Sequence, residues 1–169
     1  ARNQFSLDKV IFVPAFQPPH KQGQPLRTAF QDRYEMVRLS IAGEPSFELS
    51  DCELQRKGVS YTFDTVLEFE KQFPGAQLFL ILGKDSFEGI DSWYRAAELK
   101  QKVRFLVAHR GPGDMPVLEH ARAERILMPL CPVSSSAIRD AIKRGQHVDD
   151  DLSPKVLQYI RAHALYGKD

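Results

Sequence analysis

The sequence predicts an α/β fold, a parallel β-sheet with helices on both faces. Three observations carry that prediction. Short apolar runs without alternation recur at 9–15 (KVIFVPA), 78–82 (LFLIL) and 103–108 (VRFLVA), the pattern of strands buried on both faces. Segments with apolar residues three and four apart lie between them, the period of a helix with one buried stripe. Strands and helices alternate along the whole chain, without internal repeat or low-complexity stretch, and such alternation builds parallel sheets. A chain of 169 residues suits one domain, 1–169, with a substantial core.

Residues 1–7 read as the tail of a helix whose beginning lies outside this sequence. The run 9–15 is the first strand. After it, 17–25 (QPPHKQGQP) is a proline-rich loop carrying His20 and Lys21. Phe30, Tyr34, Val37 and Ile41 line one face of a helix over 28–42, which Gly43 ends. Phe47 and Leu49, with Cys52 beyond them, mark a short strand over 47–54. Over 58–73, Ser60 or Thr62 caps a helix with Phe63, Val66, Leu67 and Phe73 as its buried stripe, stopped by Pro74-Gly75. Asp64 then falls in the first turn, where the macrodipole favours an acid, and capping alone would account for Thr62 and Asp64. Short helices are expected around 96–100 and over 117–122, and a further strand over 125–130. Ser153-Pro154 is a good N-cap and N1 pair for a closing helix that runs to about residue 165. The aspartates at 149–151 read as a solvated run before that helix, not as a metal cluster.

Composition excludes several classes. At 43% hydrophobic and 27% charged, the chain is ordinary for a globular protein. A net charge of +1 supplies no field to recruit nucleic acid or an anionic membrane, so phosphate binding must rest on local placement of the 23 Lys and Arg residues. Cys52 and Cys131 stand far apart with no C-x-x-C, which suggests buried thiols in a reducing compartment rather than a disulfide or a zinc site. No apolar run approaches the ~20 residues that span a bilayer, and no signal-peptide pattern opens the chain. The expected location is cytoplasmic. A homo-oligomer stays open.

The chemistry concentrates in two stretches. The strand at 78–82 ends in Gly83, Lys84 and Asp85, and Trp93-Tyr94 follow, Trp93 being the only tryptophan in the chain. In open α/β sheets, ligands sit beyond the carboxyl ends of the strands, so a strand ending in Gly-x-Asp before an aromatic pair suits a nucleotide crevice. Further on, Ser134, Ser135 and Ser136 open a helix with Ile138, Ala141 and Ile142 as its buried stripe and Gly145 as its exit. Its first turn has no acid for a capping box, but Arg139 follows closely. Free N–H groups, a favourable dipole and a guanidinium fork together suit an external phosphate.

Taken together, GVSYTFDT, LGKDSF…SWYR, VAHRGPG and PVSSSAIRDAIKRG, in this order and spacing, resemble bacterial nicotinate-nucleotide adenylyltransferase, and QPPHK and PKVLQYIRAHALY fit the same family. The likeness covers essentially the whole chain. It implies a Rossmann-like nucleotidyltransferase fold. The reaction it implies joins ATP and nicotinate mononucleotide into deamido-NAD and pyrophosphate, with Mg²⁺. By the same resemblance, Thr62 binds the pyridine carboxylate, Trp93 stacks on the pyridine ring and the Tyr94 backbone N–H reaches that carboxylate. Gly83 and Asp85 hold the adenosine part and Arg110 lies against adenine. Ser134, Ser135 and Arg139 hold the ATP phosphates, and Lys21 reaches a phosphate. Such a transfer needs positioning and charge neutralisation more than a covalent nucleophile, which agrees with the lack of a Ser-His-Asp or Cys-His pattern.

The sequence departs from the family pattern in three places. Lys84 replaces a small residue and would add a cation near the ligand, and Ser136 replaces a threonine. The segment G-G-T-F-D-P-x-H-x-G-H, whose histidines stabilise the triphosphate, is not in this sequence, and none of the five histidines has H-x-G-H spacing. The expectation is a strand, turn and helix of about 20–30 residues before Ala1. Two alternatives stay open: a non-catalytic or truncated nucleotide-binding homologue, and an adenylyltransferase for nicotinamide mononucleotide.

Overall fold

A computed structural model describes residues 1–21, 23, 28–108, 116–129 and 133–167. Along the chain come α1 (Arg2–Phe5), β1 (Val10–Phe12), α2 (Phe30–Ile41), β2 (Phe47–Leu49), α3 (Cys52–Arg56) and α4 (Thr62–Gln72). They are followed by β3 (Phe79–Gly83), α5 (Lys84–Glu88), α6 (Ala96–Lys102), β4 (Arg104–Ala108), β5 (Ala123–Ile126), α7 (Ser135–Lys143) and α8 (Pro154–Ala162). Every strand pairing among the described residues is parallel, as the alternation predicts. Among the described residues the strands form two sheets, β1-β2 and β3-β4-β5. Val10 lies opposite Phe47, Phe79 opposite Arg104, and Phe105 opposite Ala123.

The main core lies on one face of the larger sheet. Phe63 and Val66 from α4, Phe87 from α5, Leu99 from α6 and Phe105 and Val107 from β4 are all buried there. Each such side chain contributes about 1.5–3 kcal/mol by leaving water. Leu106 points to the opposite face of β4 and is equally inaccessible, so β4 is the doubly buried strand its sequence predicts. β3 is not. Leu78, Leu80 and Leu82 pack on the core, but Ile81 faces the other way and is 40% exposed. The reason is positional: β3 is an edge strand among the described residues, paired only with β4, and Ile81 stays largely uncovered.

Other expectations need correcting. The strand expected over 47–54 stops at Leu49, and Cys52 opens α3 instead. The Ser50 hydroxyl accepts the Cys52 N–H at 3.3 Å and Glu53 occupies the first turn, so local polar groups favour a helix start there. The helix expected over 117–122 is a turn in which His120 takes φ 59° and Val117 is exposed. β5 begins two residues earlier than expected, leaving Leu127 and Met128 outside it and exposed. β3 does end at Gly83 as expected, and Gly83 is at the same time the N-cap residue of α5. The stripe of α7 is only half-buried. α8 starts as expected, with the Ser153 hydroxyl accepting the Val156 N–H and Pro154 in the first turn.

Candidate nucleotide site

Parallel strands bring their carboxyl ends to one edge of each sheet, and the stretches singled out in the sequence lie just beyond those ends. Residues 13–21 follow β1, Gly83 to Asp85 follow β3, and 127–135 lead from β5 into α7. Arg110 follows β4 and lies outside the described residues. Lys21 closes a short 3₁₀ turn, Pro19–Lys21, and its side chain lies outside the described residues too.

The start of α4 is held from both sides. The Ser60 N–H donates to the Gln17 carbonyl at 2.9 Å, and the Gln17 N–H donates to Ser60 Oγ at 3.0 Å. Ser60 is buried, so this pair joins the loop after β1 to the stretch before α4. On the other side Thr65 Oγ1 donates to Glu53 Oε1 at 2.8 Å, while Arg56 reaches both Thr65 Oγ1 at 2.8 Å and Glu68 Oε2 at 3.0 Å. This locks α4 to α3. The helix cap differs from the expectation: Tyr61 is the N-cap residue, no side chain caps the helix, and Thr62 is its first residue. Neither Ser60 nor Thr62 performs the expected capping.

The ring of Tyr94 lies 4.4 Å from that of Tyr61 and 6.3 Å, edge-on, from that of Phe63. Thr62 sits between Tyr61 and Phe63, so the two stretches SYTFDT and SWYR meet in space. Trp93 is half-buried against the core and Tyr94 is 48% exposed. Just upstream, the ammonium of buried Lys100 binds Asp91 and donates to the Glu119 carbonyl at 3.1 Å, fixing the turn before Trp93.

Gly83 has an ordinary φ of −77°, and a Cβ built there would meet nothing within 4 Å. The chain itself does not demand glycine at this place, and the position is open to approach from outside. Asp85 is exposed in the first turn of α5. Lys84 pairs with Glu88 at 3.7 Å along the same helix.

At α7 the Ser134 hydroxyl accepts the Ala137 N–H at 3.1 Å, Ser135 is exposed as the first helical residue, and the first turn holds no acid. Arg139 donates to Ser136 Oγ at 3.1 Å, turning its guanidinium back towards the helix start, and its buried Nε has no hydrogen-bond partner. A cavity of about 350 Å³ runs along Arg125 to Pro129 at the carboxyl end of β5, and the Gln4 side chain holds the same stretch, its Nε2 donating to the Arg125 carbonyl and its Oε1 accepting the Leu127 N–H, both at 2.9 Å. Among the described residues no group of three or more His, Cys, Asp or Glu side chains could cage a metal ion. Asp149 pairs instead with Arg161 at 2.9 Å and His147 at 3.3 Å. Burial pushes the Cys52 thiol above its ordinary value.

Comparison with known proteins decides the family. The chain is 38% identical over 179 residues to a probable nicotinate-nucleotide adenylyltransferase of Gloeobacter violaceus, covering 98% of this chain and 85% of the relative. A relative of the same description from Moorella thermoacetica is 38% identical over 178 residues, with 98% and 81% covered. The chain belongs to the nicotinate-nucleotide adenylyltransferase family. A cytidylyltransferase-like family model matches residues 1–141, and the family is one of nucleotidyltransferase enzymes. The fold agrees: a Plasmodium falciparum nicotinic acid mononucleotide adenylyltransferase complexed with NaAD superposes with a TM-score of 0.74 at 20% identity, covering 95% of this chain and 83% of that one. The same enzyme complexed with APC gives 0.72. No helix among the described residues is long and apolar enough to cross a membrane.

Proposed function

We propose that this protein transfers the adenylyl group of ATP to nicotinate mononucleotide, giving deamido-NAD and pyrophosphate. The observation that carries the reading is the meeting of Thr62, at an uncapped helix start, with Trp93-Tyr94 through the tilted Tyr61–Tyr94 ring contact. A helix start without a side-chain cap offers N–H groups and a positive dipole end to a carboxylate, and an aromatic face suits a flat ring. In this reading Thr62 and the Tyr94 N–H hold the pyridine carboxylate and Trp93 stacks on the ring. Gly83 and Asp85 receive the adenosine part, with Arg110 against adenine. Ser134, Ser135 and Arg139 hold the ATP phosphates, with Lys21 in support.

The chemistry is an in-line displacement. A phosphate oxygen of the mononucleotide bonds to the α-phosphorus, the bond from that phosphorus to the bridging oxygen breaks, and pyrophosphate leaves with its electron pair. The chain's part is to align the two nucleotides and neutralise charge. Mg²⁺ would enter with ATP as part of the substrate. The site of action is cytoplasmic.

The choice of acceptor tests the reading. A carboxylate gains charge-assisted bonds of about 1.5–3 kcal/mol that a neutral amide forgoes, so nicotinate should exceed nicotinamide mononucleotide roughly 10- to 150-fold in kcat/KM. Equal turnover of the two would refute the assignment of Thr62 and Tyr94.

A further inference from the structure

We propose that Arg95 is a positioning residue that clasps the Trp93-Tyr94 segment to the Tyr61-Thr62-Phe63 segment and so sets affinity for the acceptor mononucleotide. The inference rests on the acceptor site proposed above and adds a residue to it. Arg95 adopts φ 54°, ψ 43°, the left-handed region where a side chain crowds its own backbone and where glycine fits best. Its guanidinium carbon lies 4.1 Å from the centroid of the Phe63 ring, and the ring is buried and cannot follow if the cation moves. Nε donates to Glu98 Oε1 at 2.5 Å and Nη2 to Oε2, so the guanidinium plane is held by a two-pronged fork from the first turn of α6.

Three contacts therefore join the two segments: Tyr61 to Tyr94, Phe63 to Tyr94, and Phe63 to Arg95. The residue they enclose on one side is Thr62 and the residue they carry on the other is Trp93. Side chains of both Arg95 and Glu98 are more than 40% exposed, so the ion pair adds little to folding. Its consequence is geometric. Without the fork the guanidinium leaves the Phe63 face, and the Trp93-Tyr94 backbone is tied to α4 by ring contacts alone.

Because Trp93 is the only tryptophan in the chain, its emission reports this site directly. The experiment titrates wild type, Arg95→Ala, Arg95→Gly and Arg95→Lys with nicotinate mononucleotide by Trp93 fluorescence, and with ATP by calorimetry, and records urea midpoints. The expected result is an acceptor affinity about fivefold weaker in Arg95→Ala and Arg95→Gly, the size an exposed cation–π contact supports. ATP affinity stays at the wild-type value, the urea midpoint falls by no more than the loss of that one contact, and Arg95→Lys recovers part of the loss through its charge. The glycine variant relieves the backbone crowding, so its loss isolates the side chain. Unchanged acceptor affinity in Arg95→Ala and Arg95→Gly, with wild type binding normally, overturns the clasp and leaves the proposed function standing. Equal weakening of acceptor and ATP also overturns it. A wild type whose fluorescence does not respond to the mononucleotide overturns both.

Discussion

Replacing Ser60 by alanine tests the link between the loop after β1 and the start of α4. The substitution deletes one bond of a reciprocal pair: the Gln17 N–H loses its acceptor at 3.0 Å, while the Ser60 N–H keeps the Gln17 carbonyl at 2.9 Å. A net intramolecular hydrogen bond contributes about 0.5–1.5 kcal/mol, and a buried donor left unpaired costs up to about 3. Ser60 is 7% exposed but Gln17 is half-buried, so water reaches the orphaned N–H in part and the lower half of that span applies. We expect Ser60→Ala to lose about 1–2 kcal/mol in urea unfolding, with a Tm fall of about 2–4 °C per kcal/mol for a chain of this size. Ser40→Ala is the control: its exposed hydroxyl donates only to the Met36 carbonyl of its own helix and should change stability by less than about 0.5 kcal/mol. The KM for nicotinate mononucleotide should rise in Ser60→Ala alone, since Thr62 is two residues away. A Ser60→Ala loss no larger than that of Ser40→Ala would refute the reasoning, because the reciprocal pair would then hold nothing.

Three further outcomes follow from the site. Trp93→Ala should weaken the mononucleotide by the roughly 1–3 kcal/mol that stacking of a base on an aromatic ring provides, while ATP affinity changes less than about twofold; equal loss of both would count against stacking. Arg139→Ala should lower kcat/KM for ATP roughly 10- to 150-fold, the value of a charge-assisted phosphate contact, with Arg139→Lys in between, and unchanged kinetics would remove the phosphate role. Cys52, buried and with its thiol raised chiefly by desolvation, should alkylate far more slowly at pH 8 in the folded chain than in urea, as mapped by peptide mass. The sign of its linkage is fixed by that raised value: the contribution to stability is full below the unfolded thiol value of about 8.5 and is lost as pH rises through the folded one. Equal labelling of folded and unfolded chain would show that Cys52 is not buried.

Much of this was legible because burial and local capping write themselves into short windows. The run VRFLVA is apolar throughout because β4 is covered on both faces, and Ser153-Pro154 announces α8 because cap and first turn are adjacent. LFLIL misled for the same reason in reverse: the run reports what the strand is suited to, whereas the exposure of Ile81 depends on which strand lies beside β3. Cys52 misled because one apolar residue near a strand can belong to the next element, and the Ser50 hydroxyl decides. Of the site, Thr62, Trp93, Tyr94, Gly83, Ser134 and Arg139 stood out by residue type. The meeting of Thr62 with Tyr94 did not, since it depends on rings 33 residues apart in the sequence lying tilted against each other at 4.4 Å. Nor did the Gln17–Ser60 pair, whose partners are ordinary polar residues, or Arg95, whose left-handed backbone no pattern of side chains reveals.

The most direct measurement is of both products at once: pyrophosphate and deamido-NAD formed by this chain from ATP, Mg²⁺ and nicotinate mononucleotide. Adenylyl transfer predicts the two in equal amounts, at an enzymatic rate of about 1–10³ s⁻¹. Tight calorimetric binding of deamido-NAD with no pyrophosphate released would contradict it, and would make the chain a nucleotide-binding protein that does not turn over.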